Sequence, residues 1–243
     1  MITIEPPNAS DAVRVAFIIL PIVVALVVWL FHRHAWNEER RGPSSLAFGA
    51  AIFLWMGSTG GLALSDVLTQ FELKPPPFAF LILAVIVLSV GTGLSGVGRT
   101  LARLPLAWLV GLNAFRFPLE LVMHQAAVEG VMPAQMSYTG LNFDIVTGIT
   151  AILLAAAIAA GVAHRWLVAA WNSLGCLLLL NVMTIALIST PVIRAFGEDR
   201  KDVVTFVFFF PYVWLPTVLV STAILLHVVI ARVLLAQRKA ARS

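Results

Sequence analysis

The sequence predicts an all-α protein, a transmembrane helical bundle of about seven spans. Three observations carry that reading. Of the 243 residues, 60% are hydrophobic and only 12% are charged, about half the charge of an ordinary soluble domain. Mean hydropathy is +0.96. Apolar runs of roughly 17 to 25 residues recur along the chain, the length a helix needs to cross a bilayer core. Residues 1–243 therefore read as one integral-membrane domain with no room for a separate soluble one.

The first span is placed at about Ala12 to Phe31, after an acid-bearing N-terminus with no small-residue cleavage site, so it reads as a retained helix. The second is placed at Ser45 to Ser65, the third at Pro77 to Gly98 and the fourth at Leu104 to Val128. The fifth is placed at Asp144 to His164 and the sixth at Asn172 to Thr190. The seventh is placed at Phe210 to Leu235, with Pro211 and Pro216 kinking its first turns. Connections are short, and no repeat of roughly 20 to 50 residues is visible.

Basic residues set the expected orientation. With the N-terminus outside, ten fall on the cytoplasmic side: Arg33, Arg40, Arg41, Arg99, Arg103, Arg165, Arg232, Arg238, Lys239 and Arg242. Five fall outside: Arg14, Lys74, Arg194, Arg200 and Lys201. The net charge of +4 thus reads as a membrane-flanking signal, not as a nucleic-acid surface. Tyr138, Tyr212 and Trp214 are expected at the outer interface and Trp36, Trp108, Trp166 and Trp171 at the inner one.

The fourth span holds Arg116 and Glu120. Each charge at the centre of a span costs about 2.5–3.5 kcal/mol on the lenient insertion scale, so the pair marks a candidate site. At 100° per residue, with Arg116 at 0°, Glu120 falls at about 40°, Asn113 at about 60° and His124 at about 80°. One face therefore carries four polar side chains. Leu104 to Arg116 is about 18 Å of rise, which puts Arg116 near mid-depth. Arginine stays charged and needs an anion. Glu120 is the nearest, but Arg before Glu is the weaker order for such a pair. Partners are therefore expected on other spans: Asn181, Ser221, Thr222, Ser58 and Thr59 all count to mid-depth. The stripe could bind a small molecule or ion, or only clasp helices together.

After the fourth span, Met132 to Asp144 has no Lys or Arg. Asn142 and Gly140 suit a turn and Asp144 suits an N-cap of the next helix. The plain reading is a capped outer loop; the sharper one is a short re-entrant lid over the His124 end of the stripe.

Gly91 to Gly98 contains GxGxxG but ends an apolar helix outside any βαβ unit, so close helix packing explains it better than a nucleotide. Gly57 to Gly61 reads the same way, or as a loosened helix. No histidines share zincin spacing, and no metal site is expected. Haem held by His164 and His227 is open, and no cofactor is assigned. Glu120 with His124 could perform acid–base work, but no nucleophile is identifiable. The single Cys176 permits no intrachain disulfide.

Four segments resemble a functionally uncharacterised family of bacterial polytopic membrane proteins. They are Phe115 to Glu120, Gly140 to Asp144 with Gly148 to Ala151, Trp171 to Gly175 with Asn181, and Phe210 to Pro216 through His227. The resemblance runs from about residue 110 to 235 and implies a multi-pass protein of the bacterial inner membrane. It also implies that Arg116, Glu120, Asn142, Asp144, Asn172, Asn181 and His227 form one set. It brings no activity with it. Three functions stay open: a small-molecule or ion site serving transport or sensing, an accessory subunit of a larger membrane complex, or an enzyme acting on a lipid or quinone.

Overall fold

The computed structural model describes residues 4–39 and 43–240. Arg40, Arg41 and Arg242 of the charge count lie outside them. Most of the described residues are helical, with no strand among them. Six helices are long and apolar enough to cross a membrane.

Helix α1 (Asp11–Glu39) buries Val13, Phe17, Pro21, Val24, Val28, His32 and Ala35, a spacing of three and four that defines one inward face. Its other face is also apolar: Val15, Ile19, Val23, Leu26 and Leu30 are exposed. Exposed apolar faces of this extent suit a lipid environment rather than water. Helix α2 (Ser45–Leu64) starts at Ser44, whose hydroxyl accepts the Ala47 N–H at 3.2 Å. Helix α3 (Pro77–Leu94) is followed by the short α4 (Gly96–Leu101), capped by Ser95. The chain breaks between them, so the third span ends at Leu94 rather than Gly98.

The fourth span runs over Leu106–Val128 but is jointed. Helix α5 (Leu106–Leu112) passes through a 3₁₀ turn at Asn113–Phe115 into α6 (Arg116–Val128). Pro118 lies just beyond the joint; it lacks an N–H and crowds the carbonyl of Ala114, four residues back. Arg116 therefore starts a new helix, at a place where the rod is already irregular.

Helix α7 (Ile145–Ala159) corrects the expected fifth span. Its 15 residues give about 22 Å, short of the roughly 30 Å core. Gly161, at φ +73°, ends it before His164. A Cβ on Gly148 would meet the Phe117 nitrogen at 2.3 Å, and one on Gly111 would meet Ala155 at 3.3 Å. So α7 runs antiparallel to the fourth span and covers its α5 half, the joint and the start of α6. To reach that start, the segment after α6 turns back by about 18 Å, the rise of the α6 residues. Val131, Met132, Met136, Ser137, Asn142 and Asp144 are buried on the way. The segment folds back against the helices and buries these residues inside the bundle.

Helix α8 (Arg165–Ile188) begins seven residues before the expected Asn172. The chain returns through an exposed turn at Arg200–Asp202 and a buried run at Val203–Phe209. The last span starts at Leu215, not Phe210. Pro216 sits in its first turn, where a missing N–H is tolerated, so the chain opens with a π-helical stretch (Leu215–Val220) instead of a kink. Helix α9 (Ser221–Ala240) follows and is the central helix, with α3, α5 and α8 packed on it. Tyr212 is buried against Phe17, and Trp214 donates to the Met56 carbonyl at 3.0 Å. Both belong to the bundle rather than to an outer aromatic belt.

Of the glycine motifs, Gly93 is a true contact, since a Cβ there would meet Val228 at 2.6 Å. Gly57, Gly61 and Gly91 face open space, and α2 is unbroken. Arg232 of α9 donates to the carbonyls of Gly93, Leu94 and Ser95 and so completes the end of α3.

Glu129, just past α6, accepts the Ser10 N–H and hydroxyl, both at 2.8 Å, and Gln125 at 2.9 Å. The bond from Gln125 and those from Ser10 hold its carboxyl below the usual 4.5. A depressed carboxyl stabilises the clasp above its unfolded pKa and loses that contribution as pH falls through the lower folded value. A dye on Asn8→Cys, with Cys176→Ser, is expected to gain mobility by fluorescence anisotropy as pH drops below about 4.5. With Glu129→Gln the acid response should vanish.

Candidate functional site

Arg116 starts α6 beside the joint in the fourth span and is 1% exposed. Its Nε donates to Asp144 Oδ2 at 2.6 Å, and its Nη2 pairs with Asp144 Oδ1. This two-pronged geometry is the strong form of an Arg–carboxylate pair. Glu120 is not the partner. Asp144 is placed beside Arg116 because the segment that folds back after α6 delivers the start of α7 there. Its side chain therefore makes no helix cap, contrary to the reading as an N-cap; the charge of Arg116 takes both oxygens.

Arg116 Nη1 lies 2.9 Å from His227 Nε2 on α9. An arginine has only N–H donors, so Nε2 must accept. The ring proton is then on Nδ1, which faces Asn172 Oδ1 of α8 at 2.9 Å. The Asn172 amide also donates to the His227 carbonyl at 3.3 Å. These bonds fix a neutral His227 with one tautomer. Gly175 makes room for the ring, because a Cβ there would meet His227 Cε1 at 2.5 Å.

Glu120, also 1% exposed, is held by Asn142. The Asn142 amide nitrogen lies 2.9 Å from each carboxylate oxygen and 3.0 Å from the Met136 carbonyl. Asn142 Oδ1 accepts the Asp144 N–H at 3.0 Å. One asparagine thus ties Glu120 of α6 to the loop that carries Asp144. Comparison of the chain with family models, curated proteins and solved structures finds no match. The resemblance noted from the sequence gains no support there, and the site must be read from its own chemistry.

The other candidates fall outside this cluster. Asn113 donates back to the Leu109 carbonyl at 3.0 Å on its own helix. His124 Nδ1 is 3.1 Å from Ser137 Oγ and 3.4 Å from Thr139 Oγ1, and the ring lies against Tyr138. His124 and Glu120 therefore take different partners, and no acid–base pair is assembled from them. Asn181 donates to the Leu141 carbonyl at 2.8 Å and steadies the loop from outside. Thr59 meets Thr217, and Ser221 meets Ser89. None of the mid-depth hydroxyls reaches Arg116; nearby carbonyls and hydroxyls satisfy them first. His164 is exposed at the start of α8, while both His227 nitrogens are taken, so the two do not form a haem ligand pair.

The cluster forms the floor of a cavity of about 360 Å³. Among the described residues, Arg116, Glu120 and Asp144 are the only charged ones in its lining. Its walls come from α3 (Phe78, Ile82, Val85), α8 (Leu179, Val182, Met183, Ala186) and α9 with its π-helical start (Leu215, Leu219, Ala223). Helices α3 and α8 both pack on α9 but not closely on each other. A volume above about 300 Å³ with apolar walls and a few convergent polar groups is the usual form of a small-molecule site. The sequence supplied the floor and missed the walls.

Proposed function

We propose that this protein binds a small molecule in the cavity above the Arg116–Asp144–Glu120 floor and serves its transport across the membrane. One observation carries the reading: a cavity with largely apolar walls is bordered by three charged residues that are all buried. A purely structural clasp would be closed over by packing, as cores are. Here all three charged residues border the cavity.

Seven crossings follow if α7 and the segment that folds back before it together count as one. The N-terminus then lies outside and the C-terminus inside, supported by Arg99, Arg103, Arg165, Arg232, Arg238 and Lys239 on the inner side. A bacterial inner membrane is the setting that the resemblance implies.

Native mass spectrometry of the protein released from mild detergent tests the reading. Wild type is expected to retain a lipid-soluble compound at one per chain. Ala186→Phe, which fills the cavity without touching a charge, should fold and lose it. A wild type that carries no adduct, or an Ala186→Phe protein that carries the same one, would overturn the proposal.

A further inference from the structure

The charges of the floor do not balance. Arg116 contributes one positive charge, Asp144 and Glu120 one negative charge each, and His227 is neutral by its hydrogen bonds. Arg116 and Asp144 satisfy each other. Among the described residues Glu120 is hydrogen-bonded only by the Asn142 amide, which is uncharged. A carboxylate offers about four lone-pair sites, and the single amide nitrogen leaves some of them without a donor in a residue that borders the cavity. An uncompensated charge at this depth is costly, so Glu120 needs either a proton or a cation.

The cavity suits a particular cation. Phe71, Phe78 and Phe115 line it, and aromatic faces attract positive charge. Met123, Met136 and Met183 line it as well, and methionines adapt to varied apolar shapes. A small hydrated metal ion would find carboxylates but few further oxygen ligands here. Access comes from the side: the cavity lies between α3 and α8, whose outward residues Phe80, Leu83, Leu180 and Leu187 are exposed and apolar. That gap faces the acyl chains of a bilayer.

Resting on the small-molecule reading above, we propose that the occupant is a lipophilic organic cation that enters from the bilayer between α3 and α8 and displaces a proton from Glu120. The exchange is electroneutral: one monovalent cation arrives at the carboxylate and one proton leaves it for water. The groups around the cluster that holds Glu120, taken element by element, fit this. Its own helix contributes Arg116 and, one turn on, His124, which is bound to Ser137. The segment after α6 contributes Asp144 and Asn142. Helix α9 contributes the neutral His227, and α8 contributes Asn172 and the Cys176 thiol, which lies within the field of Arg116. Helix α3 contributes no titratable residue.

Tetraphenylphosphonium and its anionic isostere tetraphenylborate test the proposal on the full chain in nanodiscs. The signal is the binding difference between wild type and Glu120→Gln, which cancels partition into lipid. Tetraphenylphosphonium should bind at one per chain, with affinity rising up to about tenfold per pH unit while protons compete. Binding should release one proton per cation in weakly buffered solution, and Glu120→Asp should keep part of it. Tetraphenylborate should show no such difference. Equal or preferred binding of tetraphenylborate, or cation binding without proton release, overturns the inference while leaving the cavity reading standing. If Ala186→Phe changes neither probe, the cavity reading itself fails.

Discussion

Asp144→Ala is expected to be among the most destabilising single substitutions in the chain, by about 3–5 kcal/mol, the range for leaving a buried charge without its partner. The variant keeps Arg116 buried and charged. His227 Nε2 can accept one N–H, but it brings no negative charge. Glu120 is the remaining anion, and Asn142 holds it toward the loop. Asp144→Asn should fall between wild type and Ala, since one amide oxygen replaces two carboxylate oxygens. Glu120→Gln should cost far less, because no cation depends on Glu120 in the empty site. The order separates two pairings. If Glu120 were the partner of Arg116, as neighbouring positions on one helix suggest, the ranking would reverse. The paired change Arg116→Met with Asp144→Leu should recover much of the loss, as apolar replacements of buried ion pairs often do. Thermal unfolding midpoints in a mild detergent, read as a double-mutant cycle, decide it. A coupling energy below about 1 kcal/mol would refute the assigned pair.

Much of this arrangement is legible in the sequence for a simple reason. The bilayer punishes charge, so Arg116 and Glu120 stand out without any structural knowledge. Apolar runs likewise mark the long helices, because length against bilayer thickness is a one-dimensional test. What fails is anything set by depth. Asp144 sits where an N-cap belongs, and the local pattern cannot tell a cap at the membrane surface from a counter-ion at its centre. The loop before it meets its own backbone needs through turns, such as Gly140 N–H to the Ser137 carbonyl at 2.8 Å, so it can lie deep without announcing itself. The fifth apolar run looks long enough to span, but Gly161 in a left-handed turn stops the helix early. Pro118 is visible in the sequence, yet it is the joint just before it that starts α6 at Arg116. The cavity walls are Leu, Val, Phe and Met residues on separate helices. Nothing distinguishes them from lipid-facing residues until the helices are packed.

The short α7 gives the second large expected effect, because Gly148 is what lets it approach the joint. A Cβ at Gly148 would lie 2.3 Å from the Phe117 nitrogen and 2.9 Å from the Arg116 carbonyl carbon. Both are backbone atoms of the rod, so no side-chain rotation relieves the contact. Gly148→Ala must push α7 off the fourth span or distort the joint. Overpacking of this kind costs about 1–3 kcal/mol, and a backbone obstacle puts it at the upper end. The consequence goes further than stability. Asp144 begins the same turn of chain, four residues before Gly148, so displacement of α7 draws the carboxylate away from Arg116. Gly148→Ala should therefore loosen the ion pair without altering any charge. Its effect should be much smaller in an Arg116→Met, Asp144→Leu background, where no ion pair remains to be stretched. Gly61→Ala, whose Cβ meets nothing within 4 Å, provides the contrast and should be close to neutral. Equal midpoints for Gly148→Ala and Gly61→Ala would show that α7 does not rest on the joint, and the position assigned to Asp144 would fall with it.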